Sequence, residues 1–194
     1  LQPVVAGLGQ MEPVALPTGQ DYDFQQLVAE LAGAAYSRVD MVTRRGEFAV
    51  RGGIIDVFPP TEDHPVRAEF FGDELDEMRW FAVADQRTLT TAEHPSVIVA
   101  PPCRELLITP SVQSRAAKLK DQLPGGREML ERIAGGQYVE GMESLAPLLA
   151  DEMVQVLSLL PGGSMTVALE PEKVRARAHD LVAAVRAQPL PLAD

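Results

Sequence analysis

Apolar positions change their period twice along this chain, near residue 38 and again near residue 91. Before the first change, residues 22–36 (YDFQQLVAELAGAAY) place Phe24, Leu27, Val28, Leu31 and Ala35 on one face at helical spacing. Either Asp21 or Asp23 can cap the helix they predict. From residue 38 the period shortens. SRVDMVT, EFAVR, IIDVF, VRAEFF and DEMRWFAV are strand-type runs. Turn signals at Arg45-Gly46, Gly52-Gly53, Pro59-Pro60 with Thr61 to Pro65, and Gly72-Asp73 separate them. Such short links predict antiparallel neighbours. Residues 38–91 are therefore expected to form a compact, twisted antiparallel sheet, with helix 22–36 on one face.

The flanks read differently. Residues 1–21, with three Pro and three Gly, predict a connecting segment with one short strand. After residue 91, SVIVA (96–100) and MTVAL (165–169) read as buried strands, and helical stretches are expected at about 111–123, 127–134 and 144–160. Gly135-Gly136 makes a good stop for the second of these. The clearest helix is 171–187, with Pro171 in its first turn and Val174, Ala178, Leu181, Val182 and Val185 on one face. Strand–helix alternation here suggests part of an α/β layer. The fold class expected is α+β.

Composition narrows the function classes. The chain has 194 residues, 46% of them hydrophobic and 23% charged, as in an ordinary globular protein. No run of about 18 apolar residues occurs, so no membrane span is expected. The opening LQPVVAGLGQ has neither a starting Met nor a basic region, so it reads as an excerpt of a longer protein without a secretory signal. A net charge of −11 opposes general binding to nucleic acid or anionic membrane. The lone Cys103 cannot form an internal disulfide and fits a reducing cytoplasm.

Catalytic and cofactor chemistry finds little footing. None of Lys118, Lys120 and Lys173 follows a Gly, so no phosphate-binding loop is matched. His64, His94 and His179 are scattered and add no ligand pair to Cys103, so no metal site is expected. Cys103 has no nearby activating His and reads as a plain thiol. Asp73, Glu74, Asp76 and Glu77 lack calcium-loop spacing and read as a solvated hairpin end. No catalytic residue and no cofactor are assigned.

Residues 66–71 are more informative. Strand alternation puts Val66, Ala68 and Phe70 on a core face, and Arg67, Glu69 and Phe71 on the other. On the preceding strand Phe48 and Val50 face in, leaving Arg51 facing out. An aromatic beside an Arg on a polar face is a recurrent protein-interaction signature. Alternation alone leaves a plainer reading open, in which Phe71 folds under the Gly72-Asp73 turn and the two arginines only solubilise the sheet.

GEFAVRGGIIDVFPP (46–60), PVRAEFFGDELDEMRWF (65–81) and DQRTL (85–89) closely resemble the N-terminal region of the bacterial transcription-repair coupling factors, the Mfd family. The block is shared with the excision-repair helicase UvrB, whose corresponding module binds the damage sensor UvrA. The resemblance implies a UvrA-binding domain at 1–91 and the second half of a degenerate helicase-type α/β domain at 92–194. It implies that this half-domain is incomplete here, and that self-association of the truncated piece could cover its apolar face. It implies that Arg51, from an A-x-R-G motif, and Arg67 and Phe71, from P-x-R-x-[DE]-F-F, form the UvrA-binding patch. These are the residues that alternation places outward. RNA polymerase and DNA are implied as partners of other regions of an ATP-dependent DNA translocase. In MTVALEPEK (165–173), Glu170 and Pro171 stand where UvrB has its Walker B acidic pair, which argues for a non-catalytic fragment. The competing reading is a UvrB-type ATP-dependent helicase fragment acting on damaged DNA.

Overall fold

A computed structural model describes residues 3–8, 11–90 and 93–187. In chain order the elements are β1 (Pro3–Val5), β2 (Val14–Pro17), α1 (Phe24–Gly33), β3 (Ser37–Arg38), β4 (Glu47–Arg51), β5 (Ile54–Val57), β6 (Val66–Phe71), β7 (Glu74–Trp80), β8 (Val97–Ala100), α2 (Pro110–Leu119), α3 (Arg127–Ala134), α4 (Ala146–Leu149), β9 (Met153–Gln155) and α5 (Pro171–Ala187). The fold is α+β, as the sequence predicts.

The helix expected at 22–36 forms over Phe24–Gly33, and of its two candidate caps Asp23 is used. The Asp23 carboxylate accepts from the backbone N–H groups of Gln25 at 2.9 Å and Gln26 at 3.0 Å. Asp23→Ala is expected to destabilise the fold by about 1 kcal/mol in a urea melt, the usual size of a lost N-cap. The capped helix presents Leu27 and Leu31 to a core shared with Phe48, Ile55, Val57, Val66, Ala68, Leu75 and Met78. Phe24 and Val28 pack against its margin.

That core lies under a sheet of order β3-β4-β5-β6-β7. The pairs from β4 to β7 are antiparallel, as short links dictate. The SRVDMVT run departs from expectation. Only Ser37 and Arg38 form a strand, and it pairs parallel to β4. The link to β4 is a loop of its own that tucks Val42 beneath Phe58 and Phe81, so it does not act as a hairpin turn. The buried Glu47 carboxylate fastens that loop by accepting from the Thr43 N–H at 2.8 Å and the Arg44 N–H at 2.9 Å.

After residue 91 two further expectations change. The stretch 144–160 is not one helix: a 3-10 turn (Met142–Leu145) leads into α4, then β9, then a second 3-10 turn (Val156–Leu159). Residues 153–155 instead pair antiparallel with Pro3–Val5, a partner that local periodicity cannot see. MTVAL forms no strand, and Met165, Val167 and Leu169 are exposed. A strand needs a neighbour to satisfy its backbone, and none lies beside it among the described residues. β8 forms as expected but pairs antiparallel with β2, and Ile98 and Ala100 join the core under the sheet. A parallel helicase-type layer is not formed among the described residues.

A second core gathers Leu106, from the segment leading into α2, with Val112, Ala116, Leu130, Ile133, Met142 and Leu149 from α2, α3, α4 and the turns between them. The predicted Gly stop of α3 is present. The Gly136 N–H donates to the Ile133 carbonyl and the Gln137 N–H to the Arg132 carbonyl, which closes the helix with Gly136 at φ 80°. A side chain there would also start 2.9 Å from Gln113 Nε2 of the facing helix. α5 has the predicted bounds, but Val174, Leu181 and Val182 of its apolar face are exposed, while Val185 lies outside the described side chains.

Candidate docking face

The outer face of the sheet is built by strand register. Ala49, Asp56, Arg67 and Arg79 are opposite one another on β4, β5, β6 and β7. Arg51, Ile54, Glu69 and Glu77 form the next row. Phe71, opposite Glu74, stands beyond that row at the hairpin end. The strands can close up there because the β4–β5 turn carries Gly53. A Cβ on that residue would lie 2.9 Å from the Phe70 carbonyl oxygen.

Phe71 is 85% exposed, so it does not fold under its turn. Its neighbour Phe70 points the other way and meets Phe24 edge-on, with ring centres 5.3 Å apart. Period two thus sends two adjacent phenylalanines to opposite fates.

The arginines are less free than alternation predicts. Between them lies Asp56, which is 1% exposed. Arg67 grips its carboxylate with a fork, Nε donating to Oδ1 at 2.7 Å and Nη2 to Oδ2 at 2.8 Å. Arg51 Nη2 donates to the same Oδ2 at 2.7 Å. The Arg67 guanidinium also stacks over the buried Phe81 ring at 4.8 Å. Its side chain keeps only 20% exposure, against 51% for Arg51. Hydrogen bonding to Asp56 holds the Arg67 guanidinium above its usual pKa, against the opposing effect of burial. The outer face therefore carries a small apolar floor of its own, made by Val42, Ala49, Phe58 and Phe81, on which Arg67 rests.

The structure brings Arg51 and Arg67 together through one carboxylate. Phe71 is four residues along β6 from Arg67, about 13 Å at strand rise, and shares the turn end of the sheet with Arg51. Beside this trio, Arg79 is held between Glu69 at 3.6 Å and Glu77. His94 Nδ1 sits 3.2 Å from Glu77. Sequence reasoning missed Asp56, Arg79 and Phe81. Asp56 had a signal, a single carboxylate inside the apolar run IIDVF, between two strands that carry outward arginines.

Cys103 is away from this face. Its Sγ would lie 3.3 Å from a Cβ on Gly46, and burial pushes the thiol above its usual pKa, so it is held as the neutral thiol. Asp73, Glu74 and Asp76 are exposed at the β6–β7 hairpin. Among the described residues, no three His, Cys, Asp or Glu side chains are grouped to hold a metal ion.

The family model of the UvrB interaction domain matches residues 14–101. Transcription-repair-coupling factors of Mycobacterium bovis and Mycobacterium tuberculosis are each 47% identical to the chain over 191 residues, covering 94% of it. Residues 14–101 therefore carry a UvrB interaction domain. The match begins at the first residue of β2 and ends just past β8, so it encloses the sheet, α1 and the strand pair that share one core. UvrABC system protein B of Bacillus cereus is 36% identical over 102 residues, covering 50% of the chain. The chain spans 15% of the length of the mycobacterial relatives.

Proposed function

We propose that this UvrB interaction domain docks UvrA through its outer sheet face, as part of a transcription-repair coupling factor of the Mfd type. The observation that carries the reading is Phe71, an 85% exposed aromatic at the end of a face already furnished with Arg51 and Arg67. Aromatic and arginine side chains dominate binding at protein interfaces, and charged rims set partner choice. Binding of the chain to purified UvrA, followed by titration calorimetry, tests it directly. In the longer protein, the tether would bring excision repair to RNA polymerase stalled at DNA damage. Contacts to polymerase and to DNA are assigned to regions outside this chain. The division into a UvrA-binding unit at 1–91 and an α/β half at 92–194 is kept as part of this reading, with β8 contributing to the first unit's core.

The chain itself is proposed to be non-catalytic and to work in the cytoplasm. No helix among the described residues is long and apolar enough to cross a membrane. The identity to UvrABC system protein B favours a second reading, a helicase-type fragment that uses ATP. Against it, Glu170 and Pro171 open α5, and the Glu170 carboxylate pairs with Lys173 at 2.7 Å. Calorimetry with Mg-ATP is expected to give no saturable heat at micromolar nucleotide, and a saturable heat would favour the helicase reading. The exposed Met165, Val167, Leu169, Val174, Leu181 and Val182 make an apolar surface. We propose that a second copy covers it when the chain is alone. Sedimentation equilibrium should then show a dimer that Leu181→Glu converts to monomer.

A further inference from the structure

Asp56 is an expensive residue to place where it is. A buried carboxylate costs folding free energy unless it is paired and hydrogen-bonded, and an apolar replacement of a buried ion pair is often no less stable. Stability therefore does not account for a charge at 1% exposure between Ile55 and Val57. What it does account for is the placement of two like charges. Arg51 Nη2 and Arg67 Nη2 converge on the same Oδ2, at 2.7 and 2.8 Å. Two guanidinium groups this close would repel without the carboxylate between them.

The two arginines are not equivalent. Arg67 commits Nε and Nη2 to Asp56, lies on Phe81 and is mostly covered. Arg51 commits one N–H of its five, stays half-exposed and shares the turn end of the sheet with Phe71. We infer that Asp56 is the positioning residue of the docking face: it braces Arg67 and aims the Arg51 guanidinium at an acidic group of the partner, beside Phe71. The inference rests on the UvrA reading above. The partner site it fits is a carboxylate next to an apolar pocket, since a guanidinium with free N–H groups binds a carboxylate and an exposed phenyl ring needs apolar cover.

The test measures UvrA binding and thermal melting of the same chain with Asp56→Asn, Arg51→Lys, Arg51→Ala and the Asp56→Asn/Arg51→Ala pair. Asp56→Asn removes a negative charge, so attraction by net charge alone predicts tighter binding to an acidic partner. Positioning predicts the opposite sign, a loss of about tenfold, the scale of one charge-assisted hydrogen bond. Arg51→Ala is expected to lose about tenfold in the native chain and less than about twofold in the Asp56→Asn background, because coupled residues are not additive. If Asp56→Asn does not fold, Arg51→Lys decides: its charge is kept, its fork is lost, and about tenfold weaker binding with an unchanged melt is expected. Unchanged or tighter binding by folded Asp56→Asn, additive losses in the pair, or full binding by Arg51→Lys would each overturn the inference. Phe71→Ala separates the two levels. If Phe71→Ala keeps full affinity, the UvrA reading itself fails; if it loses affinity while Asp56→Asn does not, only the positioning role fails.

Discussion

Phe71→Ala is expected to weaken UvrA binding by about 2 kcal/mol or more, the scale of a central interface anchor, and to leave folding stability within about 0.5 kcal/mol. The argument is geometric. The ring is 85% exposed at the end of β6, and its neighbour Phe70 packs against the opposite, core side of the sheet, edge-on to Phe24. Removing an exposed ring opens no cavity, so a thermal melt should not move. Phe70→Ala supplies the contrast: it should lower the melt by removing core contacts with Phe24 and Tyr22, whatever it does to binding. A pull-down with UvrA and a melt of both variants decide the assignment. If Phe71→Ala unfolds the domain or binds UvrA as well as the native chain, Phe71 is not the anchor.

Arg67→Ala is expected to lower folding stability by about 2 kcal/mol, because it leaves a buried carboxylate short of two of its three hydrogen bonds. It also removes the cation stacked on Phe81. Arg51 remains as a single partner for Asp56, which limits the loss. An urea titration of Arg67→Ala beside Arg51→Ala checks this, with the larger shift in midpoint expected for Arg67. The comparison matters for reading any binding defect. A weakened interaction in Arg67→Ala has a structural component, whereas one in Arg51→Ala, whose side chain is half-exposed, reports on the partner. Equal stability of Arg67→Ala and the native chain would mean that Asp56 finds other donors or water, and that Arg67 is not a brace.

Much of this fold was legible because its causes are local. A capping Asp23 and apolar spacing of three and four define α1. A Gly136 at positive φ stops α3, and Pro171 opens α5. Period two and turn signals set β4 to β7, and the same alternation turned Phe71 outward and Phe70 inward. The resemblance carried by GEFAVRGGIIDVFPP and PVRAEFFGDELDEMRWF agrees with the match of residues 14–101 to the UvrB interaction domain.

Tertiary structure decided what depends on distant partners. Residues 153–155 leave the expected helix because Pro3–Val5 offers them a ladder, a pairing between segments far apart in the chain. Met165, Val167 and Leu169 have strand composition and no strand, since among the described residues no backbone lies alongside to receive their hydrogen bonds. β3 runs parallel to β4 because its loop is anchored by the Glu47 carboxylate and by Val42. Arg67, outward by alternation, is covered because β5 sets Asp56 opposite it and Phe81, just past β7, lies beneath it. Side-chain periodicity fixes the face a residue occupies, but the charge or ring that meets it there is set by which strands become neighbours, and that is a property of the whole fold.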